Sequence, residues 1–175
     1  GLASVIIGNS VTSIGYRAFY ECSSLRKVFN FSKLNISKGS TDYGYVGYYA
    51  YLVLNNPEII DNYVFAPKGG TYALYGYMGT DTNLQLPEKY KGENYIIGDS
   101  AFSGCDSLTS IDLPEGVTSI AEEVFYSSTK LESIELPSGL TSIGWNGIYN
   151  CWELKYIVMH SPTVPTTSTN VFGYA

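Results

Sequence analysis

The chain has 175 residues, of which 45% are hydrophobic and 15% are charged, and its formal net charge is -6. This length and apolar content suffice for a domain with a buried core and exclude a disordered segment. The acidic balance argues against nucleic acid or an anionic membrane as partner, since both require a basic face. No apolar run approaches the roughly 20 residues that span a bilayer, so no membrane insertion is expected.

Residues 1–28 contain half of a repeating unit and the beginning of the next. The apolar spacing from Leu2 to Ile7 matches that from Leu131 to Leu136, and Leu25 follows Leu2 after one full unit. This alternation predicts a half-buried strand. Because the chain starts within a repeat, we expect residues 1–175 to form a single repeat domain that is a fragment of a longer protein.

An elongated repeat is predicted at about 29–94, where the chain is longer than one unit requires. Apolar positions from Val46 to Leu54 recur at i, i+3, i+4, i+7 and i+8, which predicts an amphipathic helix. Two β-prone runs on either side of Gly69-Gly70 predict a hairpin. Leu84 then restores the strand pattern.

The coil that begins at Leu84 is predicted to be longer than the others. Ile111 lies four residues further from Leu84 than the period of the repeat requires. We place the additional residues near 90–93.

Residues 97–158 contain three copies of one pattern, which begin at Ile97, Ile120 and Ile143. The fixed period of about 23 residues is the signature of a solenoid, in which each unit buries its apolar face against its neighbours. The Leu-x-x-Ile-x-Leu run predicts a strand of a parallel sheet, and Val-Thr-Ser-Ile predicts a second extended segment on the opposite wall. The Ala-Phe-x-x-Cys segment predicts a short helical turn that closes the coil.

Three cysteines occupy the same position of the repeat, namely Cys22, Cys105 and Cys151. Coils stack about 4.8 Å apart, so cysteines two coils apart lie roughly 10 Å from each other. A disulfide tolerates at most about 7 Å between Cα atoms. We therefore expect all three to be free, small, buried side chains that line a turn.

Residues suited to catalysis or to metal binding are scarce. His160 is the only histidine, and it follows a strand while Cys151 is expected to point into the core. Asp99, Glu122 and Glu123 fall at neighbouring positions of successive coils, where calcium ligands or solvated turn residues both fit. We favour solvated turns, and we predict no catalytic residue, no metal ligand and no cofactor.

Aromatic residues are the candidates for binding. Trp145, Tyr149 and Trp152 replace polar residues of the first copy on one turn, so they form either a binding surface or a packed end of the solenoid. The same alternatives apply to the tyrosines of the elongated repeat. Among them, Tyr45 and Tyr48 are the candidate binding residues.

The segment Asp99-Ser100-Ala101-Phe102-x-x-Cys105-x-x-Leu108-x-x-Ile111-x-Leu113-Pro114 resembles the BspA-type leucine-rich repeat. The resemblance covers about 100 residues of repeats. It implies a right-handed leucine-rich-repeat superhelix, display on the outside of a bacterial cell, and adhesion to host or matrix proteins. In the last copy, Gly147-Ile148 replaces the Ala-Phe pair of the family pattern.

We therefore predict a β-rich solenoid of 23-residue units, with one elongated repeat that carries a helix and a β-hairpin. The predicted function is non-enzymatic binding of a host or matrix protein at the cell surface. A glycan-binding module that uses the surface aromatics and a structural stalk are the two alternatives.

Overall fold

The computed structural model describes residues 1–173. The chain divides into two compact units, Gly1–Glu58 and Ile59–Ala175.

The first unit is built on a three-stranded parallel sheet. Its strands are β1 (Ser4–Ile7), β2 (Lys27–Asn30) and β3 (Leu52–Asn55), and the sheet order follows the chain order. Val5 is opposite Val28, and Val28 is opposite Val53. Each coil thus contributes one strand at nearly regular intervals. Leu25, Val28 and Val46 have no exposed surface and lie at the centre of this unit's core.

The amphipathic helix predicted between Val46 and Leu54 does not form, and that prediction was wrong. The helical structure in this region is a 3-10 turn, η1 (Tyr43–Tyr45), in which Gly44 has a left-handed φ of 64°. Tyr45 is also left-handed, with a φ of 68°, so the turn does not extend as a helix past this residue. The end of the predicted helix lies in strand β3, which pairs in parallel with β2. The apolar spacing arises instead because Val46 enters the core of a coil whose next strand is β3.

The second unit contains a seven-stranded sheet. Its strands are β4 (Glu58–Ile60), β5 (Tyr63–Lys68), β6 (Thr71–Tyr77), β8 (Tyr95–Ile97), β10 (Ser119–Ile120), β12 (Ser142–Ile143) and β14 (Thr166–Thr167). Strands β5 and β6 pair antiparallel and form the predicted hairpin. Strand β6 also pairs parallel with β8, with Leu74 opposite Ile97. Strand β6 of the hairpin therefore takes the place in this sheet that a two- or three-residue strand takes in each later coil.

A four-stranded parallel sheet forms the other wall of this unit. Its strands, in spatial order, are β13 (Tyr156–Met159), β11 (Ser133–Leu136), β9 (Ser110–Asp112) and β7 (Asn83–Gln85). Leu84, Ile111 and Ile134 lie opposite one another in register, and all three are buried. Buried side chains from both sheets belong to one core, as the solenoid prediction requires.

The coil that begins at Leu84 has a tight turn at residues 90–93, where the sequence spacing predicts four extra residues. Tyr90 and Glu93 form an isolated antiparallel bridge, and Lys91 and Gly92 between them have left-handed φ angles of 52° and 81°. Because this tight turn closes on itself, Leu84 keeps its register with Ile111.

In four coils of the described residues, two left-handed residues, four positions apart, close the coil instead of a helical turn. These pairs are Arg17 and Glu21, Ser100 and Gly104, Glu123 and Ser127, and Asn146 and Asn150. A left-handed residue interrupts helical hydrogen bonding, so the backbone donates to the next coil. The amide of Phe102 donates to the carbonyl oxygen of Val124 at 2.8 Å. The predicted helical turns are therefore turns bonded between coils.

The repeat position of the cysteines provides a further contact between coils. Ser128 Oγ donates to the carbonyl oxygen of Phe102 at 2.6 Å, and Cys151 Sγ donates to that of Phe125 at 3.1 Å. The rings of Phe102 and Phe125 stack with centroids 5.7 Å apart. All three cysteines are free, as predicted, but only Cys151 is buried, whereas Cys22 and Cys105 are partly exposed, contrary to the prediction. Serine and cysteine both occupy this repeat position, and Ser128 and Cys151 both donate a hydrogen bond from it.

Replacing Ser128 tests this contact. We expect Ser128→Ala to lower the free energy of unfolding by about 1 kcal/mol, because one buried hydrogen bond is lost. Ser128→Cys keeps a donor at the position and should cost less than half as much. Urea denaturation followed by circular dichroism measures both values, and equal losses in the two variants would contradict the role of the hydrogen bond.

Replacing Gly104 tests how much the left-handed turn conformation requires glycine. A Cβ at Gly104 has open space around it, but its φ is 65°. Gly104→Ala should therefore lower the free energy of unfolding by about 1 kcal/mol through backbone strain alone. Gly139→Ala is the matched control, since an added Cβ there makes only an ordinary contact with Glu115 at 3.5 Å. A loss of the same size in the control would show that strain is not the cause.

Because Cys151 is buried, we expect the free energy of unfolding to depend on pH in the alkaline range. Burial raises the pKa of its thiol to about 11 from the usual 9.0. The unfolded chain therefore releases this proton above about pH 9 while the folded chain retains it, so stability falls as the pH rises towards 11. In a reducing buffer, Cys151→Ser should lose less stability between pH 8 and about 10.5 than the parent chain. Parallel curves for the two proteins would refute the effect.

Candidate binding surfaces

The outer face of the four-stranded sheet is polar along β7, β9 and β11. The residues opposite one another on this face are Asn83, Ser110 and Ser133 in one row and Gln85, Asp112 and Glu135 in the next. They line a shallow groove of about 460 Å³. Asn83 Oδ1 accepts hydrogen bonds from Ser110 Oγ at 2.7 Å and from Thr109 Oγ1 at 2.9 Å, so neighbouring coils fix its position.

A second groove of about 450 Å³ shares Asp112 and Glu135 with the first. Glu88, Glu115 and His160 complete its polar lining. His160 Nε2 lies 3.4 Å from Glu135 Oε2 on the exposed surface. The two grooves therefore present an open, carboxylate-rich strip.

The strand β13 has four exposed residues in succession, Tyr156 to Met159. Its apolar side chains lie beside the polar strip at the end of the sheet order. Among the strands of residues 1–173, only β11 pairs with it.

The structure separates the three predicted aromatics of the last copy. Trp145 and Trp152 are exposed, by 41% and 65%. Tyr149 is half-buried, and its ring stacks on that of Tyr126 with centroids 5.8 Å apart and nearly parallel planes. A Cβ on Gly173 would lie 2.1 Å from the Tyr149 ring, so that ring is covered on this side. The two tryptophans are therefore at the surface, whereas the Tyr149 ring contacts that of Tyr126 in the neighbouring coil.

Tyr45 and Tyr48 belong to a network of tyrosines in the first unit. The Tyr45 ring contacts that of Tyr20 at 5.2 Å and that of Tyr48 at 5.6 Å, both edge to face. Tyr48 also contacts Tyr49 at 4.8 Å. Tyr45 is half-buried and Tyr48 is 45% exposed. These contacts hold the rings in fixed orientations at the surface.

Sequence reasoning missed two aromatic residues and one cation beside this network. The Arg17 guanidinium lies 4.6 Å from the ring centroid of Tyr20 and 5.2 Å from that of Tyr16. Tyr16 is 82% exposed. Each of these tyrosines directly precedes a left-handed turn residue, as Trp145 and Tyr149 do. Alignment on the turns would have identified them.

We name the surface formed by Tyr16, Arg17, Tyr20, Tyr45 and Tyr48 the tyrosine–arginine patch. Tyrosine and arginine are enriched in protein interfaces because they combine apolar area with polar groups.

The described residues offer no assembled reactive centre. Cys151 is buried, its pKa is raised, and its thiol donates to a backbone carbonyl rather than to His160. Asp99 is paired with Lys68 at 2.8 Å. Within residues 1–173, no three side chains of the metal-binding types converge on one point. The same residues include no helix with the length and hydropathy of a membrane span.

The comparisons with known proteins concern the repeats. The model of the BspA type leucine rich repeat region matches residues 1–68 and 78–175 with six copies. A leucine-rich repeat protein from Bacteroides ovatus ATCC 8483 is 30% identical, with a TM-score of 0.50, over 57% of this chain and 28% of its own. The T. pallidum leucine rich repeat protein is 29% identical, with a TM-score of 0.54, over 58% of this chain and 49% of its own.

The chain thus spans less than half the length of either solved relative. No curated protein matches it. The family match extends over nearly the whole sequence and agrees with the observed coils of about 23 residues. On this evidence, the chain belongs to the BspA-type leucine-rich repeat family.

Proposed function

We propose that this chain is a non-enzymatic binding module of a bacterial cell-surface protein, and that it recognises a host or matrix protein. Membership of the family supports a binding scaffold and an extracellular location. The open grooves of the sheet are shallow and polar, which suits a macromolecule better than an enclosed small molecule.

The tyrosine–arginine patch is the observation that carries the proposal. Tyr16, Tyr20 and Tyr48 are exposed, and the half-buried Tyr45 holds the rings of Tyr20 and Tyr48 in place through edge-to-face contacts. A partner therefore gains aromatic contact area without the cost of ordering these side chains. Such preorganised Tyr and Arg residues are the typical centre of a protein interface.

A glycan is the second candidate ligand. Trp145 and Trp152 expose indole surfaces on the last turns, and aromatic faces of this kind stack on sugar rings. The two ligand classes therefore depend on different units of the chain.

Binding to host matrix proteins and to an oligosaccharide panel separates these functions. With the chain immobilised for biolayer interferometry, we expect a saturable response to a matrix protein. The double variant Tyr45→Ala/Tyr48→Ala should raise the Kd at least tenfold, because two central aromatic contacts are lost. Tyr156→Ala removes another exposed tyrosine and should leave the Kd within about twofold, as expected for a contact outside the interface.

Circular dichroism of each variant establishes that the fold is retained. A response to an oligosaccharide that disappears in Trp145→Ala/Trp152→Ala would favour the glycan function instead. No response to any protein or sugar would refute both and leave a structural stalk.

A further inference from the structure

Arg17 is a cation held on an aromatic support. Its guanidinium lies 4.6 Å from the Tyr20 centroid and 5.2 Å from the Tyr16 centroid. The residue is exposed and sits in the left-handed turn position, with a φ of 57°. A guanidinium that packs on ring faces keeps the N–H groups at its edge free to pair with a carboxylate in two parallel hydrogen bonds.

Within the part of the chain that the structure describes, no ion pair neutralises the charge of Arg17. Ion pairs within residues 1–173 include those of Lys68 with Asp99, Lys155 with Glu132 and His160 with Glu135. Among these described residues, Arg17 takes part in no ion pair. It is therefore available to an external anion.

The first unit is also the cationic part of this acidic chain. Residues 1–58 contain five Lys and Arg residues against three Asp and Glu residues. The whole chain contains 10 Lys and Arg residues and 16 Asp and Glu residues, so residues 59–175 contain 5 and 13 of these, respectively. An anionic partner is therefore attracted to the first unit and repelled elsewhere.

A second cation–aromatic group lies in the same unit. The Arg26 guanidinium is 5.1 Å from the centroid of Tyr51, and Lys38 Nζ is 6.0 Å from it. Tyr51 is 52% exposed. Cations beside exposed tyrosine rings thus recur in the unit that carries the net positive charge.

We propose that the tyrosine–arginine patch binds an acidic protein segment in which a carboxylate lies beside an aromatic or apolar side chain. This proposal rests on the proposed function, since it assigns the site and the chemistry of the protein ligand. Arg17 pairs with the carboxylate. The exposed faces and edges of Tyr16, Tyr20 and Tyr48 receive the neighbouring apolar group.

The rings favour such a segment over a simple polyanion. An ion pair that is fully exposed to water contributes little to affinity. Contact with the tyrosines removes water from around Arg17, which strengthens the pair when the ligand covers the patch. Acidic and aromatic residues together therefore bind better than acidic residues alone.

The test uses a random copolymer of glutamate and tyrosine as the protein-like probe. Two control probes separate the contributions. Polyglutamate presents carboxylates without tyrosine, and hyaluronan presents carboxylates on a polysaccharide. At about 0.15 M salt, exposed charges more than roughly 8 Å apart are largely screened, so weak long-range attraction is suppressed. We expect the immobilised chain to bind the copolymer at least fivefold more tightly than either of the other probes.

Three variants locate the interaction. Arg17→Gln should raise the Kd for the copolymer about tenfold, because a bidentate charged hydrogen bond is lost. Arg17→Lys keeps the charge but not the planar fork and should lose most of the same affinity. Lys33→Gln removes an exposed charge from the same unit and should change the Kd less than twofold.

Equal losses in Arg17→Gln and Lys33→Gln would overturn the proposal in favour of non-specific attraction. Preferential binding of hyaluronan, or no binding of the copolymer, would overturn it as well. If a matrix protein binds the parent chain and Arg17→Gln equally, this site assignment fails while the proposed function stands. The proposed function fails separately if no protein ligand binds the parent chain.

Discussion

Hydrogen bonds between successive coils are the constraint on which the rest of the structure depends. The amides of Phe102 and Phe125 each donate at 2.8 Å to a carbonyl of the following coil, and the strands pair in parallel at the same period. A single repeat therefore cannot satisfy its own backbone or bury its own apolar residues. The regular surfaces of the sheet and turns are a consequence of this mutual dependence.

The strands could be predicted because they depend on the order of apolar residues along the chain. Ile111 and Ile134 occupy the same place in the repeat and lie opposite each other in the sheet. The helix between Val46 and Leu54 could not be rejected by the same reasoning, since its apolar spacing is helical. What excludes the helix is that Leu52–Asn55 form strand β3, which makes a parallel contact with strand β2 of the preceding coil. That contact is not visible in a local pattern.

The candidate sites were predictable only in part, for a related reason. Repeat alignment identified Trp145, and the structure leaves its indole exposed. The contact between Tyr20 and Tyr45 joins residues on successive coils, so it arises from stacking and not from neighbouring sequence. Arg17 carried no signal of its own, because a charged residue in a turn is ordinarily solvated. Its position over two rings becomes apparent only when the turn is folded.

The small turn at residues 90–93 has a consequence for how such a protein can diversify. It lengthens one coil by four residues, yet Leu84 and Ile111 remain in register. Insertion of residues at this point of the coil therefore leaves the hydrogen bonds between the coils unchanged. Natural selection can change the length and chemistry of such loops while the scaffold is inherited intact. A lineage could thus acquire new recognition surfaces without having to evolve a new fold.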